Sequence, residues 1–443
     1  MTVITRFAPS PTGTLHVGNL RTALHNWLFA RRHGGRFLLR IDDTDGARSE
    51  ERFVEAIRAD LAWMGLTPDA EERQSARFDR YEARLAQLVA DGRVYPAYET
   101  AQELELKRKV LLGRGLPPVY DRAALALSDA DRAALEAEGL RPHWRFKLDH
   151  EAAIAWDDLV RGPQRFEAKL LSDPVVRRAD GSWLYLLPSV IDDIDMGVTH
   201  VVRGEDHVSN TATQIQMFDA LSGAVPAFAH EALLTGAEGK LSKRLGSLGI
   251  DHFRAAGIEP EALIALLARL GTSDPVEPFA DPAPLVAAFD FARFGRAPAR
   301  FDEAELAQLN ARIVHQLGHD RVADRLPAGI DATGWEAIRP NLNTVAEAAD
   351  WWAVVEGPIS APPVADEDRS FLGQARTVAE TLDWSADPWR ALTDALKATT
   401  DRKGKALFLP LRRALTGRDH GPDMAALLPL IGKDRALARL EAG

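Results

Sequence analysis

The chain lacks cysteine entirely, in a sequence of 443 residues. Without thiols it can form neither a disulfide nor a thiolate zinc site, which removes the main support for a secreted domain or a zinc finger. It also lacks an apolar run long enough to span a bilayer, and its first residues have neither a signal-peptide core nor the character of a transit peptide. These absences predict a cytoplasmic protein with no membrane partner.

An excess of positive charge is absent too, because the formal net charge is −11. Nonspecific coating of nucleic acid depends on many lysines and arginines that neutralise phosphates, so we expect no DNA partner. Local basic groups such as Lys107-Arg108-Lys109 and Arg412-Arg413 could still contact the backbone of an RNA of defined shape. Such groups are more often ordinary solvent-exposed surface.

The stretch from Arg6 to Asp45 has the pattern of a strand, a loop, a helix and a second strand. The first apolar segment runs into Pro9-Ser-Pro-Thr-Gly13, a helix with apolar residues at a 3.6-residue period follows, and residues 37–41 predict a buried strand. In such a βαβ unit the helix N-terminus offers free N–H groups to a phosphate. The stretch therefore predicts a nucleotide site.

His16, Gly18 and Asn19 lie at the start of that helix. A glycine there lets a nucleotide approach the backbone closely, and a histidine can hydrogen-bond to charge that develops on a phosphate. The alternative is a histidine that only caps the helix, which is the more common meaning of His-x-Gly taken alone. Asn19 is available to cap the start of the helix.

Two further polar clusters follow an irregular middle segment. Residues 183–187 and 198–202 are predicted to be buried strands, with Asp192-Asp193-Ile-Asp195 and Arg203-Gly-Glu-Asp-His207 at strand ends, where open α/β sheets bind ligands. Arg203 could pair with a ligand carboxylate or phosphate or, at even odds, with Glu205 or a nearby Asp. Lys240-Leu-Ser-Lys-Arg244 forms a cationic segment suited to a polyphosphate, although small basic loops are usually just exposed to solvent.

The chain changes character after about residue 251, where almost every segment predicts a helix. The helices expected from about residue 301 onward cover 303–317, 342–355, 366–382, 388–399, 405–415 and 424–440. Five tryptophans of this part are expected to be core anchors, with base stacking the less common role; they are Trp335, Trp351, Trp352, Trp384 and Trp389.

The clusters, in this order and spacing, resemble the signatures of class I aminoacyl-tRNA synthetases and specifically of the glutamyl-tRNA synthetase family. Arg6-Phe-Ala-Pro-Ser-Pro-Thr-Gly13 with His16-Val-Gly-Asn19 is similar to the first signature of that family, and Lys240-Leu-Ser-Lys-Arg244 is similar to the second. Residues 403–412 and 430–437 resemble the end of its helical anticodon-binding region. The resemblance thus covers nearly the whole chain.

The resemblance implies an α/β fold: a Rossmann-like parallel-sheet catalytic domain with an insertion, followed by an all-α C-terminal anticodon-binding region. Several domains also agree with the length, because one hydrophobic core rarely serves more than about 250–300 residues. The expected domains are a catalytic half 1 (1–95), an insertion that binds the acceptor stem (96–180), a catalytic half 2 with the lysine-rich segment (181–250), a connecting helical region (251–300) and the anticodon-binding region (301–443). Family precedent is a monomer.

The resemblance further implies a two-step reaction. L-Glutamate is activated by ATP with Mg²⁺ to glutamyl adenylate, and the glutamyl group then passes to the 3′-terminal ribose of tRNA(Glu), with tRNA(Gln) left open as a second substrate. Carried over by position, the catalytic residues are His16, Lys240 and Lys243. The ATP-binding residues are Pro9, Thr12, Gly13, His16, Gly18, Asn19, Glu205, Lys240, Ser242, Lys243 and Arg244. The glutamate-binding residues are Arg6, Ala8, Ser10, Asp42, Tyr185 and Arg203.

The chain departs from the family pattern at three places. Many members have Glu where this chain has Asp42, so the contact with the amino group of the substrate would need a water or a shifted ligand. Some members hold zinc in the insertion with Cys-x-Cys, and the corresponding residues 95–99 contain no cysteine, so zinc is not expected. Ser189 stands where some relatives place Asn near the substrate, and we assign it no role.

Three alternatives stay open at this point. A glutaminyl-tRNA synthetase shares the fold, but that branch usually ends in β-barrels, whereas this chain predicts helices. A truncated paralogue that glutamylates a modified tRNA base lacks the anticodon-binding region. An inactive synthetase-like protein that only binds tRNA has no need of His16, Lys240 and Lys243, which direct the site toward phosphate.

Overall fold

The computed structural model of the chain describes residues 2–236, 239–240, 249–279, 281–360 and 365–442, without the side chains of Gly239, Lys240 and Ala442. The chain divides into two compact units. The first comprises Met1–Phe253, Ile264–Glu277 and Asp281–Asp302, and the second comprises Arg254–Leu263, Pro278–Ala280 and Glu303–Gly443. The candidate site residues Ser242, Lys243 and Arg244, and the side chain of Lys240, lie outside the described residues.

The strands belong to the first unit. They are β1 (Ile4–Phe7), β2 (Arg36–Ile41), β3 (Ala70–Arg73), β4 (Val94–Ala97), β5 (His143–Phe146), β6 (Ala153–Asp158), β7 (Gly162–Glu167), β8 (Val175–Arg177), β9 (His200–Gly204), β10 (Ala227–Glu231), β11 (Leu234–Gly236), β12 (Gly239–Lys240) and β13 (Ala299–Arg300).

The α-helices are distributed over both units. They are α1 (Val17–Arg32), α2 (Glu51–Trp63), α3 (Phe78–Ala90), α4 (Ala101–Gly113), α5 (Asp129–Ala137), α6 (Leu186–Asp195), α7 (Val208–Ala220), α8 (Ile250–Ala255), α9 (Pro260–Arg269), α10 (Ala283–Ala288), α11 (Glu303–Val314), α12 (Ala332–Ile338), α13 (Ala348–Glu356), α14 (Asp366–Thr381), α15 (Pro388–Thr399), α16 (Lys405–Thr416), α17 (Met424–Ile431) and α18 (Lys433–Ala442).

The predicted βαβ unit at the N-terminus is confirmed. Strands β1 and β2 pair in parallel with Ile4 opposite Arg36, and β3 continues the sheet in parallel on the other side of β2. From Phe37 to Ile41 the residues of β2 are all buried, as expected of a strand in a parallel sheet that is covered on both faces. Helix α1 packs on β1 and β2.

A second sheet, with the order β7-β6-β10-β9, adjoins the first. Strand β10 runs parallel to both β6 and β9, and β7 pairs with β6 in the antiparallel direction. The Thr199 amide, just before β9, donates to the Ile4 carbonyl of β1 at 2.9 Å, so β9 and β1 lie side by side. The carboxyl ends of β1 and β9 therefore meet at one edge.

The prediction of a strand at residues 183–187 is wrong. Only Trp183 forms a bridge there, with Arg177, and the helix α6 begins at Leu186. Leu187, Val190 and Ile191 are buried at helical spacing, and a five-residue apolar window does not separate this pattern from a buried strand. As a result Asp192 and Asp193 lie on a helix rather than at a strand end.

The single helix expected over 424–440 is also wrong, because it divides into α17 and α18. Gly432 separates them with φ of 79°, a left-handed value that favours glycine and ends a helix. The other helices predicted after residue 301 are confirmed, although the first turn of the one expected at 342 is replaced by a short 3₁₀ segment before α13.

The second unit is built almost entirely from helices around a core that contains three of the predicted tryptophan anchors. Trp335, Trp351 and Trp352 are buried, whereas Trp384 and Trp389 are only half-buried. The Trp335 indole N–H donates to the Leu317 carbonyl at 2.8 Å, which satisfies the polar group of an otherwise apolar side chain. Among the described residues, the helices are all too short or too polar to cross a membrane.

Tyrosine–carboxylate hydrogen bonds lie near a small sheet with the order β4-β5-β8. The Tyr120 hydroxyl donates to Glu99 Oε1 at 2.7 Å and accepts from the Ala124 amide at 3.3 Å. The Tyr95 hydroxyl donates to Asp173 Oδ2, also at 2.7 Å. Tyr95, Tyr120 and Ala124 form one small apolar cluster in which these bonds are partly sheltered from water.

Replacing Tyr120 with Phe is expected to lower the free energy of unfolding by roughly 1–3 kcal/mol, because a Glu99 oxygen and the Ala124 amide each lose their partner. Chemical denaturation of parent and variant measures the change. Tyr98→Phe is the matched control, since Tyr98 donates to Glu136 in an exposed pair and should change stability much less. If both variants lose the same free energy of unfolding, the prediction that burial makes the Tyr120 hydrogen bonds contribute more to stability is wrong.

Candidate active site

A cavity of about 1020 Å³ opens at the edge where β1 and β9 end. It is larger than a site for one small ligand usually is, so it has room for two substrates side by side. Every candidate site residue whose side chain the structure describes lines it: Arg6, Ala8, Pro9, Ser10, Thr12, Gly13, His16, Gly18, Asn19, Asp42, Tyr185, Arg203 and Glu205. The structure thus brings together residues that are up to two hundred positions apart.

The position of the cavity follows from the sheet topology. The chain leaves β1 toward helix α1 on one side of the crevice and leaves β9 toward helix α7 on the other. In open α/β sheets ligands bind at such a switch point, outside the carboxyl ends of the strands. The positive end of the α1 dipole faces the same region as His16, and Gly18 and Asn19 of the first turn line the cavity.

His16 caps helix α1, so the expectation that Asn19 is the cap is wrong. His16 Nδ1 accepts from the amides of Gly18 at 3.2 Å and Asn19 at 3.4 Å, and Asn19 Oδ1 accepts from the His16 amide in return. A Cβ on Gly18 would come within 3.2 Å of the ring, which explains the glycine. Burial lowers the pKa of His16, so the ring is neutral at pH 7 and carries its proton on Nε2.

Arg203 is a buried guanidinium, 6% exposed, whose shown side-chain partners all lack charge. Nη1 donates to the Tyr185 hydroxyl at 2.7 Å, Nη2 donates to Thr211 and Gln214, and Nε donates to His230 Nε2 at 3.3 Å. Burial lowers the pKa of Arg203, and within the described parts of the chain no carboxylate forms an ion pair with it. Its predicted salt bridge to Glu205 or a nearby Asp is therefore not seen.

Arg6 and Asp42, by contrast, already have ionic partners. Arg6 Nε donates to Asp193 Oδ1 at 3.1 Å, and both oxygens of Asp42 accept from Arg40, at 2.7 and 3.1 Å. Arg40 is fully buried and also donates to Asp193 at 2.7 Å, so it links the two pairs beneath the floor of the cavity. The remaining lone pairs of Asp42 are what a substrate ammonium could use.

Glu205 lies at the rim, between β9 and the β6–β7 hairpin. Arg161 of that hairpin forms an ion pair with Glu205, and Glu205 Oε1 accepts from the Leu233 amide at 3.2 Å. His207 lines the cavity nearby, with its ring centroid 5.7 Å from that of Tyr185, and burial lowers its pKa. These residues give the rim a mixed charge.

The described residues at the two ends of the lysine-rich segment, Lys240 and Gly249, pair with residues that line the cavity. The backbone of Lys240 pairs with Thr235, which lines the cavity, and Gly249 forms a bridge with His16. Each of these two backbone positions is thus paired with a residue that lines the cavity. In the described parts of the chain, no group of three or more His, Asp or Glu residues is arranged to hold a metal ion.

Several residues that position this site were missed by the sequence reasoning. Arg40 sits in an apolar strand, His230 sits in another, and Asp193 belongs to a segment that was interpreted as a strand end. A charged residue inside a predicted buried strand is itself a signal, because such a residue needs a partner. From that signal Arg40 could have been predicted to form a buried ion pair, but the residues that pair with it could not.

Two family descriptions match the chain. One, tRNA synthetases class I (E and Q), catalytic domain, covers residues 2–308, and the other, anticodon binding domain, covers residues 333–443. Fold and site together are those of a class I tRNA synthetase with an anticodon-binding region.

Curated relatives narrow this class. Glutamate–tRNA ligase 1 of Rhizorhabdus wittichii is 72% identical over 440 residues, covering 99% of each chain, and glutamate–tRNA ligase 1 of Novosphingobium aromaticivorans is 68% identical over 442 residues, covering 100% of each. A crystal structure of a glutamate tRNA ligase from Elizabethkingia meningosepticum with its amino acid matches with TM-score 0.88 and 26% identity, over 100% of this chain and 99% of that one. The chain belongs to the glutamate–tRNA ligase family.

Proposed function

We propose that the chain activates L-glutamate with ATP and transfers the glutamyl group to the 3′-terminal ribose of tRNA(Glu). The observation that carries this proposal is Arg203, a buried cation beside the cavity that has no carboxylate partner in the described chain. A buried charge of this kind is stabilised by a ligand of opposite charge. Glutamate differs from glutamine by one such charge, its side-chain carboxylate.

The glutamate contacts follow from the geometry around Arg203. One N–H of Arg203 Nη1 and the hydroxyl hydrogen of Tyr185 can both be directed to the side-chain carboxylate, since that hydroxyl accepts from Arg203. We assign the α-amino group to Asp42 and the α-carboxylate to Arg6, with Ser10 and Ala8 lining the same end of the cavity. The short Asp42 is held in place by Arg40, so the ligand or a water must reach it.

The ATP end of the cavity is assigned to the start of α1. His16 Nε2–H can donate to charge that develops on the α-phosphate, while Gly13, Gly18 and Asn19 line the space beside it. We further propose Pro9, Thr12 and Glu205 as ATP contacts. Lys240, Ser242, Lys243 and Arg244 are assigned to the phosphates, a role supported by the two ends of their segment.

In this scheme Mg²⁺ enters with ATP and neutralises its phosphates, and no zinc is required. Residues 96–180 are assigned to the acceptor stem, and residues 301–443 are assigned to the anticodon. The compartment is proposed to be the cytoplasm and the oligomeric state a monomer. The named relatives give no support to the alternative of a glutaminyl-tRNA synthetase. Whether tRNA(Gln) is a second substrate is decided by measuring whether the protein charges purified tRNA(Gln) with glutamate.

ATP–pyrophosphate exchange tests the proposal. We expect exchange that depends on L-glutamate and on added tRNA(Glu), with glutamine at least about 10²-fold poorer because it leaves Arg203 unpaired. Charging of purified tRNA(Glu) and tRNA(Gln) side by side then measures the choice of tRNA. A folded sample with no exchange under these conditions would leave only the inactive tRNA-binding alternative.

A further inference from the structure

A buried aspartate–histidine pair lies behind Arg203 on the side away from the cavity. His230 of β10 is fully buried, and its Nδ1 contacts Asp158 Oδ2 at the end of β6. Its other nitrogen, Nε2, lies 3.3 Å from Arg203 Nε and 2.8 Å from Thr211 Oγ1. Neither Asp158 nor His230 lines the cavity, so neither is explained by contact with a substrate.

Hydrogen-bond chemistry fixes where the His230 proton lies. Asp158 is an acceptor: burial would raise its pKa, but the bonds from His230 and from the backbone amides of Arg161 and His230 bring it to about 2. Arg203 Nε–H can only donate. His230 must therefore carry its proton on Nδ1, facing Asp158, and accept at Nε2 from Arg203. Burial lowers the pKa of His230, which agrees with a neutral ring.

We infer that Asp158 and His230 are positioning residues for glutamate recognition, because they set the tautomer whose Nε2 accepts from Arg203 Nε–H at 3.3 Å and from the Thr211 hydroxyl at 2.8 Å, and that hydroxyl in turn accepts from Arg203 Nη2. With Nε fixed by His230 and Nη2 fixed by Thr211 and Gln214, the plane of the guanidinium cannot turn, and Nη1 is the end directed at Tyr185 and the cavity. This inference rests on the proposed function, since it assigns the side-chain carboxylate to Arg203.

Three substitutions separate this role from simple packing. His230→Leu removes the acceptor, whereas His230→Gln keeps it, because a glutamine amide can donate to Asp158 and accept from Arg203. Asp158→Asn conserves volume but can donate to His230 Nδ1, which would move the proton to Nε2 and direct it at the Arg203 donor. His143→Leu is the matched control, since His143 Nε2 also accepts from an arginine Nε, that of Arg145, within the insertion.

We expect His230→Leu and Asp158→Asn to raise KM for glutamate by roughly 10- to 100-fold, the range for losing a hydrogen bond to a charged group. KM for ATP should change less than about threefold, His230→Gln should lie near the parent, and His143→Leu should leave KM for glutamate unchanged. Pyrophosphate exchange with tRNA present measures all of these, with thermal unfolding of each variant alongside. If His230→Leu does not fold, Asp158→Asn carries the same comparison.

The inference is overturned if KM for glutamate is unchanged in both variants, if KM for ATP rises equally, or if His230→Gln is as impaired as His230→Leu. A second readout needs no activity. ¹⁵N NMR of labelled histidines, with His230→Gln to identify the resonance, should show His230 protonated on Nδ1 in the parent and on Nε2 in Asp158→Asn. Protonation on Nε2 in the parent overturns the inference by itself. If the parent protein shows no pyrophosphate exchange but His230 is protonated on Nδ1, the proposed function is overturned and the inference about the tautomer is not.

Discussion

Arg203→Gln is expected to lower kcat/KM for glutamate by roughly 10²- to 10³-fold, which is the usual cost of removing one partner from a buried charge pair. KM for ATP should stay within about threefold of the parent, because we assign Arg203 to the amino acid and not to ATP. The physical reason is the environment of the guanidinium, which is buried, has uncharged hydrogen-bond partners and, in our proposal, gains a direct carboxylate contact when glutamate binds. Pyrophosphate exchange at varied glutamate and at varied ATP measures the two effects.

Discrimination against glutamine should fall in the same variant. A neutral amide in place of the guanidinium no longer favours a carboxylate over a carboxamide, so the ratio of kcat/KM for glutamate and glutamine should move toward one. Arg145→Gln is the matched control, since Arg145 is also buried and its shown side-chain contacts, which are His143, the Asp173 carbonyl and the Tyr120 ring, are uncharged. Unchanged selectivity in Arg203→Gln would assign that residue to structure alone.

The sequence predicted most of what is local. The first βαβ unit and its buried second strand depend on periodicity and turn residues within about forty positions, and such signals survive without tertiary context. The same holds for much of the helical second unit, although Gly432 and the 3₁₀ segment before α13 altered the predicted pattern and the helix α12 was not predicted.

What the sequence could not supply is the pairing of charges across the chain. Arg40 and Asp193 are 153 positions apart, yet they meet beneath the cavity at 2.7 Å. The state of Arg6 and Asp42 depends on that contact, because each is held by one member of the pair. The short apolar run before Asp192 is compatible with either a strand or a helix. Its packing in the folded protein, which the sequence does not reveal, selects the helix α6.

The two interpretations of His16 turn out to be compatible. A ring that caps a helix with Nδ1 leaves Nε2 to a ligand, so capping fixes the orientation of the nitrogen that we assign to the phosphate. The capping alternative that seemed to compete with a catalytic role instead describes how the ring is held. The same side chain thus contributes to stability and, in our proposal, to catalysis, and the two contributions can be measured separately.

His16→Asn is expected to separate them. Asparagine is a good N-cap residue, so its Oδ1 can accept from the Gly18 or Asn19 amide and thermal stability should stay close to that of the parent. It cannot place a donor where Nε2–H lies, so kcat for exchange should fall by roughly 10²-fold or more, the usual effect of losing one donor to transition-state charge. KM for both substrates should change little.

His16→Ala should lose the donor and the cap together, with the same fall in kcat and a further destabilisation of about 1 kcal/mol. Thr100→Ala provides the matched control, because Thr100 caps α4 in a capping box with Glu103 and takes no part in the cavity. It should lower stability and leave kcat unchanged. If His16→Asn exchanges pyrophosphate as fast as the parent while remaining folded, His16 is a cap only, and transition-state stabilisation must come from other groups, with the lysine-rich segment the next to test.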